Sequence, residues 1–311
     1  MSISVRDQFG KQLAKLAKED SRVLALDGDL GNSTRLDSIE NETADSFLQM
    51  GIAEQNMVGV AAGLASVGFQ PWVCSFATFL TKRALDQIIV SVAQTNFDVK
   101  LVGSYSGLLT SNTGKTHHSL DDIAIMTTIP NMTVIAPGDA RETAAAMKAM
   151  HRTAGPMYLR LTRDETIPSF LSDEDFEIGK GKTLAEGTDM LVVTTGSTTY
   201  RVAEVIKQME DVSIAHQHFP TLKPFDKELL LEGARKVPLV VTVEEHYSRG
   251  GLGSIVTEIL SESLPRKIYR IGVPDNFFGC GTDEELLEIT GLSVEAIRKS
   301  LIELSLCKKQ F

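Results

Sequence analysis

A carboxylate among small apolar residues, two nearby aromatic rings and a pair of adjacent histidines are the chemically suggestive features of this chain. Glu54 lies in GIAEQNM (51–57), where it opens a run that reads as a helix. An acid in a first turn also simply suits the positive end of the helix dipole. Phe76 and Phe79 lie in SFATFL (75–80), just past a strand-like run, where core packing alone would explain them. His117 and His118 stand in the polar loop TGKTHHSLDD (113–122), and on its own His117 reads as a surface residue. DGDLGN (27–32) ends another apolar run, so Asp29 and Ser33 either line a ligand site at the carboxyl end of a strand or belong to a turn. The segment is not a Gly-x-Gly-x-x-Gly fingerprint, and a nicotinamide cofactor has little support. GGLGS (250–254) invites an anion at a helix N-terminus. It lacks the Gly-Lys-Ser/Thr ending of a P-loop and reads as a tight strand-to-helix turn.

The elements around these residues alternate. Val5, Phe9, Leu13 and Leu16 recur at helical spacing over 4–19. RVLAL (22–26), PWVCSF (71–76), VKLVG (99–103), MTVIAP (132–137) and MYLRLTR (157–163) read as strands, with helices at 54–68, 78–95, after Asp121 and at 139–153. The pattern weakens over 164–188 and then restarts with MLVVTTG (190–196), VSIAHQHF (212–219), PLVVTVEE (238–245) and KIYRIG (267–272), closing in helices over 282–306. Alternation of this kind predicts parallel sheets with crossover helices. The expected fold is α/β, with two three-layer α/β domains at 1–170 and 189–311 and a linker at 171–188.

Composition excludes several classes. The chain has 311 residues, which suits about two domains at roughly 150 residues each. Its formal charge of −10 makes it a poor nucleic-acid binder, because phosphate affinity comes from Lys and Arg. Cys74, Cys280 and Cys307 lie far apart and have no metal-ligand spacing. No metal site is expected on this chain. With no run of about 18 apolar residues and no signal-like start, no membrane span is expected and the default location is cytoplasmic.

In their order and spacing these segments resemble the pyrimidine-binding domain of the transketolase family of thiamine diphosphate enzymes, from SVRDQF (4–9) to LRLTRDETIP (159–168). GIAEQNM resembles the catalytic-glutamate motif, SFATFLTKRALDQI (75–88) the aromatic motif, and GKTHHSLDDIA (114–124) the Thr-His segment. VTVEEHYSRGGLGS (241–254) and IYRIGVPDNFFG (268–279) are similar to the family's C-terminal domain. The family's N-terminal domain binds the diphosphate and Mg²⁺ through Gly-Asp-Gly and a later Asn, which Asp27-Gly28-Asp29-Leu30 only half resembles. The resemblance therefore implies the C-terminal subunit of a split transketolase. It would work with an N-terminal partner subunit that supplies the Mg²⁺ ligands, as a dimer of heterodimers.

The resemblance also implies roles. Glu54 would bond the pyrimidine ring nitrogen N1′ of thiamine diphosphate, sharing a proton near neutral pH, which an apolar setting favours. Phe76 and Phe79 would pack on that ring, with Asp29 counted among the cofactor contacts. Arg6, Ser33 and Arg163 would bind a sugar phosphate or another anionic sugar, and His117 would face the substrate hydroxyls, with His118 as a mere neighbour. Thr113 replaces an acceptor-reading Asp, and Tyr105 replaces a phosphate-site His, so a sulfonate or branched sugar phosphate enters consideration. The implied activity is transfer of a two-carbon ketol unit from a ketose to an aldose. Rivals are the β subunit of a 2-oxoacid dehydrogenase, a deoxyxylulose-phosphate synthase-like enzyme, and a non-catalytic assembly subunit.

Overall fold

The protein is represented by a computed structural model that describes residues 3–110, 112–171 and 176–307. Ser111 of the histidine loop and residues 172–175 of the expected linker lie outside the described residues, as does the Cys307 side chain.

Two twisted sheets form the frame. The first contains β1 (Val23–Asp27), β2 (Phe47–Gln49), β3 (Gln70–Phe76), β4 (Lys100–Ser106), β5 (Thr133–Ile135) and β6 (Met157–Thr162). The second contains β7 (Lys182–Ala185), β8 (Met190–Thr194), β9 (Ile214–His218), β11 (Leu239–Tyr247) and β12 (Lys267–Val273), while β10 (Thr221–Lys223) crosses back to the first. The strand orders are β10-β5-β6-β4-β3-β1-β2 and β12-β11-β8-β9-β7. All pairings are parallel except β10 with β5 and β7 with β9.

Burial on both faces explains why the central strands are continuous apolar runs. Along β3, Val73 joins one core, whereas Trp72 and Cys74 point the other way and pack with Val5, Phe9 and Leu13 of the helix Val5–Glu19. That helix starts where Ser4 accepts the Asp7 N–H at 3.1 Å. The Val73 core continues through Ile123 and Met126 to Leu191 and Val240 of the second sheet and to Phe219 just past β9, so one apolar layer joins the two halves.

Several expectations need correction. Residues 78–95 do not form one helix: Ala77–Arg83 ends at Ala84, and a short turn leads to a π-helical segment, Ile88–Ala93. Of the expected linker, Lys182–Ala185 is the antiparallel edge strand β7, and Phe176 and Ile178 pack on the first domain. The edge strands β2, β7 and β10 have only three or four residues each, too short for a period to be visible. Polar contacts reinforce the joint: Arg160 donates to Asp122 at 2.8 Å and to the Glu245 carbonyl at 2.9 Å, and Arg201 pairs with Asp164 at 2.6 Å.

Candidate active site

The carboxyl ends of β1, β3, β4 and β6 lie on one edge of the first sheet, where open parallel sheets present ligands. Glu54 is the first residue of the helix Glu54–Ser66, and its side chain is only 1% exposed. Oε1 accepts from the Ser75 hydroxyl at 3.3 Å, and Oε2 accepts from Arg83 Nη1 at 2.6 Å. The acid is thus not surrounded by apolar groups alone, as its neighbours in sequence had suggested. It faces a guanidinium.

That guanidinium lies over the Phe79 ring, 5.0 Å from its centroid. His117 meets the Phe79 ring edge-on at 5.2 Å, and its Nδ1 is 2.9 Å from the Thr116 hydroxyl. Phe79 in turn neighbours Phe76 at 5.9 Å, and Phe76 stacks on Tyr105 at 4.2 Å. Phe76 is buried with Tyr105 on its face, whereas Phe79 is half-buried beneath Arg83.

Tyr105 leads to the arginines. Arg6 and Arg163 lie 5.5 and 5.2 Å from its ring centroid. Arg6 Nη1 donates to the Tyr105 hydroxyl at 3.0 Å and to the Ser33 carbonyl at 3.2 Å, while Nη2 pairs with Glu165. Arg163 Nε is buried with no protein acceptor. Tyr105 adopts φ +53°, at a register shift between Gly103 and Ser106 of β4. A bulky residue in this left-handed region is a strained position of the kind that clusters at functional sites.

The structure therefore brings Glu54, Phe76, Phe79, His117, Arg6 and Arg163 into one chain of contacts. Ser33 joins through its backbone carbonyl; its hydroxyl donates to Asn32 Oδ1 at 3.1 Å. Asp29 stands apart from the rings, exposed at φ +65° on a cleft shared with Asp27, Asn32, Ser33 and Gln49. The turn is built by Asp27, which accepts from the backbone N–H groups of Leu30 and Gly31 and from Gln49. Burial raises the Asp27 carboxyl above its ordinary range, against those hydrogen bonds. Thr113 turns back onto Thr110, donating to its carbonyl at 2.7 Å.

His118 takes no part in that array of rings. It is buried, neither ring nitrogen has a protein partner, and burial lowers its pKa below the usual histidine value, with Glu245 opposing. Arg83, Ser75 and Glu165 were not anticipated. A signal for Arg83 was present, because Phe79 and Arg83 are four residues apart and so share a helix face.

GGLGS is closed to outside anions. Glu244 fills the helix N-terminus, accepting from Leu252 N–H at 2.7 Å and Gly253 N–H at 2.8 Å. Burial pushes the Glu244 carboxyl up to about 7, against those two donors and Arg160. The folded value lies above the unfolded one, so the associated stability is complete below the ordinary carboxylate range and is lost as pH rises through about 7. From pH 5 to pH 8, the melting temperature of the native chain should fall relative to Glu244→Gln by a few degrees, since 1 kcal/mol moves such domains by about 2–4 °C. Parallel melting curves for the two proteins would contradict this.

Comparison with known proteins gives the site a context. Residues 1–168 match the transketolase pyrimidine-binding domain, and residues 179–297 the transketolase C-terminal domain. The chain is 35% identical over 305 residues to one of the subunits of the apulose-4-phosphate transketolase of Phocaeicola vulgatus, covering 97% of each. It is 36% identical over 308 residues to the 6-deoxy-6-sulfo-D-fructose transketolase subunit SqwH of Clostridium sp. (strain MSTE9), covering 97% of this chain and 94% of that one. A solved structure described as a split gene transketolase, inactive beta4 tetramer, superposes with a TM-score of 0.87 at 36% identity, covering 97% of this chain and 98% of the other.

Proposed function

The chain belongs to the transketolase family, and from that premise we propose that it is the C-terminal subunit of a two-chain, thiamine diphosphate-dependent ketol transferase. The observation that carries this reading is the continuous array from buried Glu54 through Phe79 and His117 to the two arginines on Tyr105. The curated relatives that match along their whole length are named as transketolase subunits or sections, which favours a partner chain. That partner would supply the diphosphate and Mg²⁺ ligands. Among the described residues, no cluster of three His, Cys, Asp or Glu side chains is placed to hold a metal, and no helix is long and apolar enough to cross a membrane.

The site suits the cofactor's aminopyrimidine. A buried carboxylate already accepts an N–H from a planar group lying on an aromatic face. When bound, thiamine diphosphate supplies the nucleophilic thiazolium carbon through which a ketose is cleaved between C2 and C3. In this reading Glu54 would hold the proton shared with ring nitrogen N1′, and Phe79, the less buried of the two rings, would give the stacking face. Aromatic stacking of this kind contributes about 0.5–1.5 kcal/mol beyond burial. His117, which lies beside Phe79, would exchange a proton with a substrate hydroxyl.

Arg6 and Arg163 each keep a buried Nε without a protein acceptor, and Arg163 is assigned to the substrate's anionic group because the terminal nitrogens of Arg6 are already bound to Glu165, Tyr105 and Ser33. Tyr105 and Thr113 replace the His and Asp that the family resemblance leads one to expect, so a sulfonate or a branched sugar phosphate joins the candidate substrates. Charge-assisted hydrogen bonds contribute about 1.5–3 kcal/mol, so Arg163→Ala should raise KM for an anionic sugar roughly 10–100-fold. KM for the same sugar without its anionic group serves as the control, with melting temperature and subunit association checked first. An unchanged KM ratio would leave Arg163 as a structural strand-end residue. A panel of ketose donors, tested with the co-purified partner, thiamine diphosphate and Mg²⁺, tests the function as a whole. Absence of transfer from every donor would count against it.

A further inference from the structure

The cation resting on Glu54 is unexplained by the roles above. Arg83 is the last residue of the helix Ala77–Arg83, one turn beyond Phe79. Its Nη1 donates to Glu54 Oε2 at 2.6 Å, and its guanidinium carbon lies 5.0 Å from the Phe79 centroid. A guanidinium is flat, carries its N–H donors in the plane and stacks readily on aromatic faces. An aminopyrimidine that bonds Glu54 and stacks on Phe79 makes the same two contacts. The two groups compete, because Arg83 already takes Glu54 Oε2 and a place over the Phe79 ring, while Oε1 is turned toward Ser75. The two partners also differ in freedom: the Glu54 side chain is 1% exposed, while that of Arg83 is 47% exposed. The acid is fixed, and the arginine has a path to solvent.

We infer that Arg83 is the resident occupant of the pyrimidine subsite. It pairs with the buried carboxylate while the cofactor is absent and swings outward when the aminopyrimidine binds. The inference rests on the assignment of Glu54 and Phe79 given above. A buried carboxylate left without a partner is costly, which gives the arginine a reason to be there. Its presence must then weaken cofactor binding, since apparent affinity falls by the fraction of molecules whose site is open. The ion pair is half in solvent, so salt weakens it and opens the site.

The test is titration calorimetry of thiamine diphosphate with Mg²⁺ into the purified two-chain complex. Arg83→Met keeps an unbranched stem and removes the planar fork. It should bind the cofactor roughly 3–10-fold more tightly than the native complex at low salt, the gap expected if the site is mostly closed. The gap should narrow as salt rises. Arg83→Lys, which keeps the charge without the fork, should fall between them, and it carries the test if the Met variant does not assemble. Equal or weaker binding by the variants overturns the role given to Arg83. Absence of binding by native and variant complexes alike overturns the cofactor assignment as well, so the two failures are distinguishable.

Discussion

Glu54→Gln is expected to lower kcat of the two-chain enzyme by about 10²–10⁴-fold, the usual cost of losing a positioned acid–base group. The fold should survive. Glutamine has the same shape, and its carbonyl oxygen can still accept from Ser75 or from Arg83, the two donors that now hold the carboxylate. Glu54→Ala should lose as much activity and also some stability, because it opens a cavity at a buried position and leaves Ser75 and Arg83 without their acceptor. Comparing kcat and melting temperature for the two variants separates chemistry from folding. Retention of more than about a tenth of native kcat by the Gln variant would remove Glu54 from the proton-sharing role.

The second large effect concerns the partner. The isolated chain should show no measurable ketol transfer and gain turnover only when the diphosphate-binding subunit is added. In the proposed reading its own residues would supply the acid, the stacking face and the anion-binding arginines, and the partner would supply the diphosphate and Mg²⁺ ligands. The check uses a ketose labelled with ¹³C at C1 and C2 and an unlabelled aldose. Label should appear in the new ketose only in the mixture. Robust transfer by this chain by itself would overturn the split-subunit reading.

Legibility from the sequence followed burial. β1 (VLALD) and the core of β11 are buried along their length, and their apolar runs announced them. The short edge strands FLQ, KTLA and TLK gave no such signal, since three or four residues cannot show a period. The π-helical segment Ile88–Ala93 was also hidden, because its composition equals that of an ordinary buried helix. At the site, local pattern alone singled out Glu54 and the phenylalanines without assigning them work. Arg6, Ser33, Tyr105 and Arg163 meet only because two helix starts and two strand ends, distant in sequence, converge on one sheet edge, which spacing cannot reveal. Resemblance to a family supplied that convergence. What it did not supply was the local wiring: the Arg83 bond to Glu54, the Glu165 bond to Arg6, and the Glu244 carboxylate closing a glycine-rich helix start.

Exchange of the C2 proton of thiamine diphosphate is the most direct measurement of the central claim, that this chain carries the group which activates the cofactor within a two-chain enzyme. Deuterium uptake at C2, followed by NMR after acid quenching, is to be compared for this chain, for its partner, for the mixture, and for the mixture containing Glu54→Gln. The account predicts fast exchange in the native mixture alone, with the other three near the rate of the free cofactor. Fast exchange in the partner alone, or a native rate in the Glu54→Gln mixture, would contradict it.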